Sequence, residues 1–249
     1  MPRAGPVLGS LRLGAMSFGP LARSVVVAAA VSGGLAVAAQ VGAPPPSQHR
    51  LSGRLILLEK GRPAGERGLD RSRAAVWFEP ARRSAAPAAV AAEMTTLKKQ
   101  FTPQLVVVPV GSRVTFPNRD PILHNVFSVS GKNSFDLGLV GAGQGKSATL
   151  REAGLVRVFC NVHHGMFAHV LVVQTPHYAI ADARGGFALA GLPPGPGTLH
   201  FWHERADPES RRIVVPVPGE LELELPLVLP KVPPHKNKLG KAYGRSAYE

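Results

Sequence analysis

The chain has 249 residues, 45% of them hydrophobic and 18% charged, with 27 glycines and 24 prolines. That is room for one large domain or two small ones, too turn-rich for a coiled coil or helical bundle, and short of the roughly 25–30% Gly plus Pro of low-complexity disorder. The net charge of +13 admits nucleic acid, an anionic surface or an acidic protein as partner, and the one cysteine, Cys160, excludes internal disulfides and multi-cysteine zinc or iron–sulfur sites.

Part of the positive charge lies near the two ends. Arg3, Arg12 and Arg23 have no acid among them, and Lys231, Lys236, Lys238, Lys241 and Arg245 face only Glu249. With no aromatic-plus-basic ribonucleoprotein motif and no helix-turn-helix pattern, nucleic acid is not an expected partner. Residues 25–39 form an apolar run that follows Arg23 and ends in Ala36, Val37 and Ala38. This is the three-part plan of a secretory signal peptide, and it is shorter than the roughly 20 apolar residues of a membrane span. Residues 1–39 are therefore expected to be a signal cleaved near Ala38 or Ala39, with an uncleaved anchor as the alternative. No cysteine stands just after the cleavage site, which argues against a lipoprotein, and the absent twin-arginine pattern points to the general route and a periplasmic location.

Residues 40–49 are Pro/Ala-rich and read as a linker. Short apolar runs at 51–58 and 74–78, split by a Gly/Arg/Pro loop, predict two strands. Residues 81–92 read as a surface loop. Strand-type runs then recur at 105–110, 113–117, 125–129, 134–139, 147–151, 155–160 and 169–173. A second group follows at 178–181, 186–190, 198–202, 212–217 and 220–225. Many short strands with Gly/Pro turns predict an all-β antiparallel sandwich or barrel. Residues 230–249 form a basic, Pro-rich tail expected to be disordered.

The informative stretch is Cys160-Asn161-Val162-His163-His164-Gly165-Met166, with His124 upstream. It spaces a thiol, an imidazole and a thioether as Cys-x2-His-x2-Met. One Cys, two His and one Met are the ligand set of a mononuclear blue-copper centre. Thiolate and thioether favour Cu(I), and imidazole serves both oxidation states. Alternation along 155–160 puts Val156, Val158 and Cys160 on one face of a strand, with Arg157 and Phe159 on the other. His200 and His203, around Trp202, lack accompanying ligands beyond Glu204 and read as ordinary strand-end residues. No Ser-His-Asp triad or carboxylate pair is legible, so an enzyme is not expected.

Phe101-x-Pro103, the strand that follows, Gly111 through Phe116, then Asn118, Asp120 and His124-Asn125-Val126 resemble the cupredoxin family of plastocyanins and amicyanins. The chain also resembles the plastocyanin-like proteins called methylamine utilisation proteins. The resemblance covers residues 93–174 and implies a Greek-key β-sandwich. It implies one type-1 copper per chain, held by His124, Cys160, His163 and Met166. The Cys-x2-His spacing favours His163, with His164 as the alternative. It also implies that Asn125 ties the ligand loop to the sheet, and that His163 is where the electron leaves, through a patch formed by Val162, Gly165 and Phe167. The expected function is one-electron transfer between redox partners, such as a c-type cytochrome or a periplasmic dehydrogenase with an acidic docking face. A copper-delivery module or an envelope scaffold is the alternative. Membrane contact is expected only through the basic tail or an uncleaved signal.

Gly185-Gly186-Phe187, Leu192-Pro193-Pro194-Gly195 and Thr198-Leu199 resemble the carboxypeptidase regulatory-like, transthyretin-like sandwich. Ser52-Gly53-Arg54 through Arg62-Pro63, and residues 74–78, resemble its first two strands. The expected organisation is a smaller sandwich, split into 50–82 and 175–229, with the copper domain inserted. The alternative makes 50–82 an N-terminal extension of the cupredoxin.

Overall fold

A computed structural model describes residues 49–65, 69–82, 86–230 and 236–241. The expected signal peptide, most of the linker and part of the tail lie outside these residues. The first strands are β1 (His49–Glu59), β2 (Arg62–Pro63) and β3 (Ala74–Pro80). The central segment holds β4 (Ala91–Glu93), β5 (Thr95–Leu97), β6 (Gln100–Thr102), β7 (Leu105–Pro109), β8 (Arg113–Pro117) and β9 (His124–Ser128). It continues through β10 (Phe135–Val140), β11 (Gly145–Thr149), β12 (Gly154–Phe159) and β13 (Phe167–Val173). Then come β14 (Tyr178–Ile180), β15 (Gly186–Leu192), β16 (Gly195–His203), β17 (Glu209–Val215) and β18 (Leu221–Pro226). The fold is all-β.

Strands from both ends of the described chain pair with each other. β1 lies between β15, antiparallel, and β18, parallel, with Gly53 opposite Leu221. A Cβ at Gly53 would collide with the Leu221 carbonyl oxygen, so this close approach requires glycine. β3 lies between β14 and β16, and β17 completes that sheet. One core joins the two sheets: Leu51, Leu55 and Leu57 of β1 pack with Val76 and Phe78 of β3, Phe201 of β16 and Leu223 of β18.

The central segment forms a second pair of sheets, ordered β10-β9-β12-β13-β7 and β11-β8-β4. Val106, Val114, Phe116, Val126, Val158 and Val170 are among the residues packed between them. Strands β7 and β13 are buried on both faces. Their inward residues belong to that core. Their outward residues, Leu105, Val107, Leu171 and Val173, form a third cluster with Ala75 of β3 and Trp202 of β16. The two sandwiches thus share an apolar face. The near-continuous apolar runs 105–109 and 170–173 have the same cause, since a strand covered on both sides has no solvent face to alternate with.

Several expectations need correction. The supposed loop 81–92 ends inside β4, which pairs in parallel with β8. A hairpin of β5 and β6 lies before β7, where no strand was expected. Within the tail expected to be disordered, residues 236–241 include a hydrogen-bonded turn.

Candidate metal centre

β12 delivers Cys160 to the end of the inner core, where its side chain is fully buried with Val158 and Met166. β9 begins at His124, which is also fully buried. The loop after Cys160 is drawn back on itself: Cys160 N donates to Met166 O at 3.0 Å and Met166 N donates to His163 O at 3.1 Å. This return brings the His163 ring within a centroid distance of 4.8 Å of the His124 ring.

The Cys160 Sγ lies 3.9 Å from His124 Nδ1 and 3.7 Å from His163 Nδ1. One donor atom from each of the three residues falls within 4.8 Å of the others. Bonds of about 2.3 Å to sulfur and 2.0 Å to nitrogen, opening at about 120°, end about 3.7 Å apart. The spacing therefore suits one ion bound in trigonal fashion, and the thiol–imidazole set suits copper. Met166 is buried in the same core cluster as Cys160. His164 is exposed and lies outside the three-residue group.

A hydrogen bond orients one imidazole, and the surroundings favour the neutral form of the other. His124 Nε2 lies 2.8 Å from Asp120 Oδ2. An ionised carboxylate only accepts, so Nε2 carries the proton and donates, and Nδ1 keeps its lone pair toward Cys160. Burial raises the Asp120 carboxyl. The backbone N–H groups of Lys99 and Lys98 and the ring of His124 outweigh it and hold Asp120 below its ordinary value. Burial, with repulsion from His124 and Lys99, lowers His163, against a smaller opposing pull from Asp120. A neutral ring is the form that binds a metal.

Sequence reasoning named Asn118 and Asp120 but gave them no role. Asn118 is fully buried and uses both ends of its carboxamide. Its nitrogen donates to the carbonyls of Ile122 and Val140, and its oxygen accepts from Thr96 Oγ1 and Asp120 N. It fixes the loop that leads into His124. The Asp-x3-His spacing was the available signal for Asp120. Asn125 differs from the expectation: its amide donates to Asp136 Oδ1 and Gly138 O on β10, not to the ligand loop. His200 and His203 form no metal site among the described residues. The His200 ring stacks on Trp77 at 5.0 Å, and both His203 ring nitrogens contact backbone groups, Asp70 O and Arg205 N.

Leu123 and Val162, beside His124 and His163, are 54% and 39% exposed. Of the residues expected to form the exit patch, Val162 is exposed, whereas Phe167 is only 6% exposed and packs with Phe127 and Phe159 on the outer face of the sheet.

Residues 88–174 match the family described as copper binding proteins, plastocyanin/azurin family. No curated protein matches the chain. Among solved structures, a purple cupredoxin from Nitrosopumilus maritimus is 22% identical, over 33% of this chain and 99% of that one, with a TM-score of 0.30. A reduced-state amicyanin mutant is 29% identical, over 39% of this chain and 91% of that one, with a TM-score of 0.31. An amicyanin mutant in its reduced Cu(I) form at pH 4 is 27% identical, over 41% and 99%, also with a TM-score of 0.31.

Proposed function

We propose that residues 88–174, which match the plastocyanin/azurin family of copper binding proteins, make this chain an exported one-electron carrier. The observation that carries the reading is the convergence of His124, Cys160 and His163 donors within 4.8 Å. His124, Cys160 and His163 would hold one copper, with Met166 as a weak fourth ligand. Copper bound there supplies a reversible one-electron couple. The protein's part is to hold the donors still. Cys160 and His124 come from strand ends in a packed core, and Asp120 fixes the ring of His124. Rigid donors keep the rearrangement between oxidation states small.

His163 is the half-buried ligand, and the exposed Val162 and Leu123 support this end as the contact for a redox partner. The net charge, +13 for the whole chain and +10 without the three arginines of residues 1–39, supports a partner with an acidic docking face, such as a cytochrome or dehydrogenase, whose association slows as salt rises. The apolar run at 25–39 supports export to the periplasm through a signal peptide. The flanking sheets, with the motifs at 185–199, support a transthyretin-like sandwich into which the copper domain is inserted.

The test is a Cu(II) titration of the mature protein beside Cys160→Ser, read by optical absorption and electron paramagnetic resonance. An intense blue band with narrow copper hyperfine splitting, absent in the variant, is expected. Colourless tetragonal copper, or loosely exchangeable Cu(I), would replace the carrier reading with copper delivery.

A further inference from the structure

Residues 236–241 contain a turn that closes on itself. Asn237 Oδ1 accepts from Leu239 N and Lys241 N, both at 3.0 Å. Asn237 N donates to Lys241 O at 2.8 Å, and Gly240 N donates to Asn237 O at 2.9 Å. Gly240 supplies the left-handed φ of 74° that closes the turn. A turn with this many internal bonds keeps its shape without a core of its own.

Lys238 fastens the turn to the metal end at two points. Its backbone N–H donates to Asn161 Oδ1 at 3.1 Å, and its ammonium donates to Asp136 Oδ2 at 2.7 Å. Asn161 lies between Cys160 and His163 in the ligand loop. The other oxygen of Asp136 accepts from Asn125, the neighbour of His124. One lysine thus links the loop that carries two ligands to the strand that braces the third.

We infer that this C-terminal turn is a clamp on the ligand loop, with Lys238 and Asn161 as positioning residues for the metal centre. The purpose of the clamp rests on the copper reading, but its existence does not. The partly exposed ion pair would hold little alone. It acts together with the backbone bond to Asn161 and a turn that is already ordered. The loop's own bonds, Cys160 N to Met166 O and Met166 N to His163 O, are those the clamp would keep closed.

Hydrogen exchange read by mass spectrometry on the metal-free protein tests this. The intact chain is compared with one ending at residue 235, with Asn161→Ala and with Lys238→Arg. Exchange in the peptide covering 160–167 is expected to rise on the order of fivefold in the first two, the effect of about one net hydrogen bond. Lys238→Arg should match the intact chain, and peptides from β17 should not change. In the copper-loaded protein, metal loss to a Cu(I) chelator should accelerate in the same two variants. Unchanged exchange at 160–167 in both would overturn the clamp alone. Failure of the intact chain to form a blue centre would overturn the copper reading alone.

Discussion

Asp120 reaches the metal centre only through the far nitrogen of His124, yet much of the local order depends on it. Its carboxylate accepts from Lys98 N, Lys99 N and His124 Nε2, while its own N–H is held by Asn118. Replacing it with alanine would leave three donors without their acceptor and free the imidazole to turn. Asp120→Ala should lower metal affinity by about 10–100-fold, the range for partners that orient a ligand histidine. A competition titration against a chelator of known affinity measures this, and an unchanged affinity would remove Asp120 from the role. The candidate ligands stood out in the sequence because Cys160 is the only cysteine and the motif around it is compact. Their supports were not, because a buried Asn or Asp reveals its function only through partners distant in sequence.

At the scale of elements, the β5–β6 hairpin shows how such a support is built. Its two-residue connection, Lys98 and Lys99, holds both residues at left-handed φ, 53° and 56°. Hairpins of this kind favour Asn-Gly, since left-handed backbone costs other residues about 1–2 kcal/mol each. Lysine persists there because the Asp120 carboxylate binds both backbone N–H groups. Lys98→Asn with Lys99→Gly keeps those groups and relieves the strain. The double variant should be more stable by about 1 kcal/mol or more and keep its metal affinity, as denaturant unfolding and the same titration would show. A fall in stability would mean that the lysine stems contribute packing that outweighs the strain. This hairpin was hidden from sequence reading because Lys-Lys carries no turn signal. By contrast, most longer strands were legible from apolar runs bounded by Gly and Pro.

At the scale of the molecule, the shared face between the sandwiches contributes to acid sensitivity. The His169 ring meets Phe167 and Trp202 edge-on, at 5.8 and 5.2 Å. Burial, then repulsion from Arg157, Arg73 and His203, lowers its pKa to about 3. In the unfolded chain the value is about 6.5. Between those values the unfolded state binds a proton that the folded state refuses. The stability at stake is complete above about pH 6.5 and falls by about 1.4 kcal/mol per pH unit toward pH 3. His203, lowered to about 4, adds to the same slope. His169→Leu should flatten the acid limb of a stability–pH curve by about one proton, and an unaltered slope would refute this account. Such a junction could not be foreseen from the chain, because a histidine in an apolar strand looks the same whether water or a second sheet lies beyond it.

The entry and exit of the central segment lie side by side. Phe78 N donates to His177 O at 2.9 Å, and Thr175 Oγ1 donates to Phe78 O at 2.7 Å. Two adjacent crossings allow rocking about one line but not the free tumbling of a bead on a string. The apolar face beside them, with side chains worth roughly 1.5–3 kcal/mol each when buried, resists even the rocking. A nitroxide label on β17 and one near the metal end should therefore share a single rotational correlation time. The end that gathers His124, Cys160 and His163 would then turn at the slow rotational diffusion rate of the whole particle, and charges on the far sandwich would help to orient it.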